Sequence, residues 1–111
     1  MRHLGVLRGS GMLERNGEAI GPTEYEFDGY LLKQGEVVGS GEMHMDADML
    51  ADAFGRNDLI LRTADGRMLS IRFSGKPPPP GRTVAHADVR TGLPTESEWR
   101  RLRSSQRRSD M

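Results

Sequence analysis

The sequence predicts a mainly β protein: a small antiparallel six-stranded barrel or roll with one short helix and a C-terminal helix or tail. Three observations carry this reading. Apolar residues alternate with polar ones through most of the chain, which is the period of a strand with one buried face. Short glycine-ended turns separate the alternating runs. Helical spacing is confined to residues 46–54 and to the C-terminal end. A two-sheet sandwich is the alternative architecture, but closure removes sheet edges, and the many internal glycines permit the curvature it needs.

The clearest local prediction is the hairpin Leu59–Phe73. Leu59, Leu61, Leu69, Ile71 and Phe73 alternate with Arg62, Ser70 and Arg72, and Ala64-Asp65-Gly66 makes the turn. A two-residue turn would set Leu61 against Ser70, whereas a three-residue loop sets Leu61 against Leu69 and Leu59 against Ile71. A one-residue slip sends every side chain to the other face, so the apolar pattern selects the three-residue loop with Gly66 left-handed.

From the N-terminus, residues 4–14 read as a first strand with Gly5, Gly9 and Gly11 along it. Arg15-Asn16-Gly17 is a turn for which periodicity leaves both two- and three-residue loops open. The second strand starts at Glu18–Ile20, meets an edge, bend or bulge at Gly21-Pro22, and resumes through Leu32. Lys33-Gln34-Gly35 is a second three-residue loop, and Glu36–Met45 the third strand. That register puts Tyr25, Phe27, Leu31, Val37, Met43 and Met45 on a packed face with Gly29, Gly39 and Gly41. Glu24, Glu26, Asp28, Glu42 and His44 fall on the wet face, as do the exceptions Tyr30, Leu32 and Val38.

In residues 46–54, Ala47, Leu50, Ala51 and Phe54 share a helix face, with Asp46 as N-cap and Gly55 at C′. After the Leu59–Phe73 hairpin, four prolines in residues 74–81 predict a stiff polyproline II connection. Residues 82–90 form a last strand with Thr83, Ala85, Ala87 and Val89 inward. Thr95-Glu96-Ser97-Glu98 is a capping box that starts a terminal helix at Trp99, with fraying past about Leu102. The domain is residues 1–93, followed by a basic helix and tail over 94–111.

Composition narrows the function classes. Cysteine is absent, which excludes disulfide scaffolds, thiol nucleophiles and Cys-ligated metals and fits a reducing, cytoplasmic setting. The apolar core of the first residues is too short for a signal peptide, and no run reaches membrane-spanning length. The chain holds 16 basic and 16 acidic side chains; residues 99–111 take five arginines and one aspartate, leaving 11 and 15 in the body. An acidic body with a basic tail is an asymmetry that points to a partner.

Candidate chemistry is sparse. His44 opposes Glu24 on the wet face and reads as a cross-strand pair rather than a metal ligand. His86 and Asp88 share an exposed strand face. Ser10, Ser40 and Ser74 sit beside glycine without the strand-to-helix turn of a nucleophile elbow. Residues 77–82 match P-x-x-P-x-Arg, a docking motif that four prolines satisfy almost automatically. No metal, cofactor or catalytic residue is expected.

The tail carries the functional lead: Arg100, Arg101, Arg103, Arg107 and Arg108 as polyanion or nucleic-acid contacts, and Trp99 and Leu102 docking the helix on the barrel. The expected function is a non-catalytic module that binds a protein partner or self-associates through a strand edge or barrel end. Nucleic-acid or polyanion binding through the tail is second, and a small ligand or reaction in the barrel interior third.

Overall fold

The computed structural model describes residues 1–109, with side chains through Leu102. Its strands are β1 (Arg2–Arg15), β2 (Glu18–Leu31), β3 (Val37–Met45), β4 (Leu59–Thr63), β5 (Met68–Phe73) and β6 (Val84–Thr91). The helices are α1 (Ala47–Ala53), between β3 and β4, and α2 (Glu96–Ser109), after β6. All ladders are antiparallel, and the strands close into a barrel in the order β1-β2-β3-β6-β5-β4. The chain passes between adjacent strands except from β3 to β4, where α1 carries it across one end.

Turn chemistry sets the register. The β4–β5 loop has three residues: Thr63 N–H donates to the Arg67 carbonyl at 2.8 Å, and Gly66 N–H donates to the Thr63 carbonyl at 2.9 Å. Gly66 has φ 89°, a region costly for residues with a Cβ. Leu61 therefore faces Leu69, and Leu59 faces Ile71. The β2–β3 loop repeats the geometry, with Leu32 N–H donating to the Glu36 carbonyl at 2.9 Å. The first turn is different. Arg15 pairs with Glu18 across Asn16 (φ 51°) and Gly17 (φ 84°), a two-residue type I′ turn. That turn alone would set Leu13 opposite Ile20. A bulge follows at Ile20, so Leu13 meets Gly21 instead.

The inward residues fill the barrel. Leu13, Phe27, Met43, Leu61, Leu69 and Ala87 are fully buried, and Leu59, Ile71 and Val89 nearly so. Gly41 lies so close to the β2 backbone that a Cβ there would overlap the Glu26 carbonyl. One end is closed by α1. Asp46 caps it by accepting from the N–H groups of Asp48 and Met49, Leu50 is buried, and the Met49 thioether sits over Gly21. The other end is closed by the segment leading into α2. Leu93 lies over Gly39 and the Trp99 ring over Gly29, and Leu4, Pro94 and Trp99 are fully buried there.

Replacing Gly41 with Ala forces this backbone contact apart. The expected loss is about 1–3 kcal/mol, as for other overpacked sites, lowering Tm by roughly 5–15 °C. Thermal unfolding followed by circular dichroism measures it, with Ser40→Ala, on the outer face, expected to stay near the parent value.

Candidate functional site

Three regions carry functional groups: the start of α2, one stretch of β1, and the outer face of β2, β3 and β6. The α2 start is the capping box expected from the sequence. Thr95 N–H donates to Glu98 Oε1 at 3.0 Å, and Glu98 N–H donates to Thr95 Oγ1 at 3.2 Å. Arg2 reaches Glu96 at 2.7 Å, and Arg67 bridges the Gly92 carbonyl (3.3 Å) and Glu98 (3.4 Å). Trp99 is 1% exposed, whereas Leu102 is 38% exposed. Of the two residues expected to dock the helix, Trp99 is thus buried and Leu102 lies on the exposed side. Gly29 leaves room for one indole, and Leu102 lies three residues further along the helix. Arg100 and Arg101 are exposed, and Arg100 pairs with Glu96 at 3.0 Å. The Arg103, Arg107 and Arg108 side chains lie outside the described residues; past Leu102, where fraying was expected, the backbone of α2 continues as helix to Ser109.

The barrel seam is short. β1 pairs with β4 only from Gly11 to Arg15, while its ladder to β2 reaches back to Arg2. The Ser10 carbonyl accepts from Ala64 N–H at 2.9 Å, which shows that the backbone groups of Ser10 point to the β4 side. By strand alternation those of Arg8 and Val6 point the same way, past the end of the β4–β5 hairpin where no strand lies. β1 is thus one-sided from Arg2 to Gly9. Arg8 and Gly9 are exposed, and a bulge at Leu4 marks the far end.

On the outer face, cross-strand neighbours run Arg8–Glu26–Glu42–His86 over β1, β2, β3 and β6. Arg8 pairs with Glu26 at 2.9 Å. Ser74, just past β5, completes the row: its N–H donates to the His86 carbonyl at 2.9 Å, and its hydroxyl lies 2.8 Å from His86 Nδ1. A serine within reach of an imidazole is the first half of a nucleophile–base pair. The second half is missing, since no hydrogen bond joins Glu42 to His86 among the described residues. His44 opposes Glu24 as expected, again with no hydrogen bond between them among the described residues. His3, uninformative in sequence, bonds Asp28 at 2.9 Å. No group of three or more metal-ligating side chains occurs among the described residues.

Two shallow clefts of about 450 Å³ lie outside the barrel. One runs over Gly9 between Arg8, Glu24, Glu26 and His44, with Tyr25 at its floor. Burial pushes the Tyr25 hydroxyl's pKa up, aided by the nearby Asp65 charge. Asp65 itself is held below the usual carboxylate range, chiefly by the Thr63 hydroxyl. The other cleft lies between β6 and the proline connection, with the Ser74–His86 pair in its wall.

Sequence reasoning placed both histidines outward but missed the Ser74–His86 pair and the one-sided stretch of β1. The pair could have been found by extending the β5 and β6 alternations toward each other across the proline segment. The short seam left no sequence signal. No helix among the described residues is long and apolar enough to cross a membrane. Comparison with protein-family models, curated proteins and solved structures finds no match.

Folding lowers the pKa of Glu98, mainly through the Thr95 backbone N–H and then through Arg67. A lowered carboxylate pKa gives stability that is complete above the ordinary carboxylate range and fades as pH falls through the folded-state value. Acidification below about pH 4 should therefore loosen the start of α2. Trp99 is the only tryptophan, so its emission should shift to the red as it is exposed. Glu98→Gln keeps an acceptor for Thr95 N–H without the ionisation, and should flatten the Glu98 part of that transition.

Proposed function

We propose that this protein is a non-catalytic interaction module that takes up an extended segment of a protein partner, another protein or a second copy, along the one-sided stretch of β1. The observation that carries the reading is the missing ladder from Arg2 to Gly9. Backbone donors and acceptors aimed at an open side are what an added strand pairs with. Arg8 and Gly9 are exposed there, and α2 flanks the same stretch through the Arg2–Glu96 pair. A partner would add its strand beyond the β4–β5 turn. The filled barrel supports this reading over a ligand or reaction inside it. The lack of cysteine suits a reducing compartment, and we place the protein in the cytoplasm.

Polyanion binding through α2 is the second reading, favoured by the exposure of Arg100 and Arg101 on a helix that Trp99 anchors. Its support is reduced by the pairing of Arg100 with Glu96.

Arg8→Pro and Arg8→Ala separate edge pairing from other contacts. Both remove the exposed Arg8–Glu26 pair, a loss of at most about 1 kcal/mol. Only proline removes the outward N–H. Association, measured by sedimentation for self-assembly and by pull-down for other partners, should survive in Arg8→Ala and drop at least about tenfold in Arg8→Pro. Equal association by the two variants, or none by the parent, would rule out the edge. A salt-dependent mobility shift with nucleic acid, lost on Arg100→Ala/Arg101→Ala, would favour the second reading.

A further inference from the structure

The cleft beneath the proline connection has a different character from the β1 edge. Its outer wall is residues 77–79, whose φ angles are fixed by their rings. Its floor is Phe54, Val84 and Ala85, and Phe54 is held by stacking on Phe73, with ring centres 5.9 Å apart and planes at 16°. These walls are set by covalent rings and by core packing, so the cleft exists before anything enters it. The P-x-x-P-x-Arg match thus has Pro77, Pro78, Pro79 and Arg82 lining the protein's own cleft, with Pro78 half-buried.

The polar groups in that cleft are mostly donors. Lys76 and Arg82 enter from the two ends of the proline segment, and neither makes an ion pair among the described residues. The Ser74 hydroxyl holds His86 Nδ1 at 2.8 Å, which fixes the imidazole ring and turns Nε2 away from Ser74. Glu42 is the one carboxylate in the lining, and it stands on the β3 side, across His86 from Ser74. Two cations and the one outward donor left by the Ser74–His86 pair, beside an apolar floor, match a ligand with one anionic end and one flat apolar end.

We propose that this cleft binds a small organic anion, with a phosphate or carboxylate held by Lys76, Arg82 and the Ser74–His86 pair and an apolar body resting between Phe54 and the prolines. The cleft contains no residue of β1, so either site can fail without the other.

The test is a titration of the full chain, ¹⁵N-labelled, with phenyl phosphate, benzoate and inorganic phosphate in separate arms. Saturable amide shifts confined to residues 74–76, 81–82 and 84–86 are expected with at least one aromatic anion. Inorganic phosphate should bind roughly tenfold more weakly, because it leaves the apolar floor uncovered. The tighter of the two aromatic ligands names the oxyanion. Lys76→Ala and Arg82→Ala, both exposed and outside the core, should each weaken binding about tenfold, and Ser74→Ala about threefold. Absence of saturation up to about 10 mM, well above the affinity that two charge-assisted contacts give, would overturn the proposal. So would equal binding of inorganic phosphate, or affinity unchanged in the Lys76→Ala/Arg82→Ala double variant.

Discussion

Parity is the constraint on which this fold depends. Beyond the bulge at Leu4, the inward positions are odd-numbered in all six strands: Leu13 in β1, Phe27 in β2, Met43 in β3, Leu61 in β4, Ile71 in β5 and Ala87 in β6. A strand alternates strictly, so parity survives a connection only if the turn pairs residues of like parity, odd with odd or even with even. The three-residue loops after Leu32 and Thr63 do this directly. The two-residue Asn16-Gly17 turn does not, and the bulge at Ile20 restores the register one pair later. Without that extra residue, Tyr25 and Phe27 would point into solvent and Glu24 and Glu26 into the core. Burying even one unpaired carboxylate there would outweigh the gain from several apolar side chains.

Closure then follows from where glycine sits in that pattern. Gly29, Gly39 and Gly41 occupy inward positions, so β2 and β3 can approach their neighbours more closely than side chains would permit. The space they leave is used unequally. At Gly41 it admits backbone, and at Gly29 and Gly39 it admits Trp99 and Leu93. The β4–β5 hairpin is too short to pair with all of β1, and α2 lies beside the unpaired stretch through the Arg2–Glu96 pair. The one-sided stretch of β1 and the docked helix are two results of the same short hairpin.

Much of this was legible in the sequence, and the rest was hidden for a definable reason. Turn length, the N-cap at Asp46, the capping box at Thr95 and the outward placement of His44 and His86 are all local, decided within about ten residues of alternation or spacing. The contacts that were not legible join distant segments. β6 lies between β3 and β5, and its pairs with β3 join residues 40 (His44–Val84) to 50 (Gly39–Val89) positions apart, so no local period records it. The resting place of Trp99 needed Gly29 to be read as a socket, whereas the sequence offered it only as room for curvature. The short seam depends on how far β4 reaches along β1, a matter of relative strand length rather than of residue type.

The same parity that hides chemistry from the interior concentrates it outside. Even positions in β1, β2, β3 and β6 form the row Arg8, Glu26, Glu42, His86, and Ser74 beyond β5 extends it. Glu26 and Glu42 face each other directly, a like-charge contact that costs stability. Arg8 compensates it on one side, and His86 stands on the other, in a cleft that Lys76 and Arg82 also line. One row of neighbouring side chains thus runs from the one-sided strand to the proline-walled cleft. A zero net charge conceals this arrangement. The charges are sorted by face and by row.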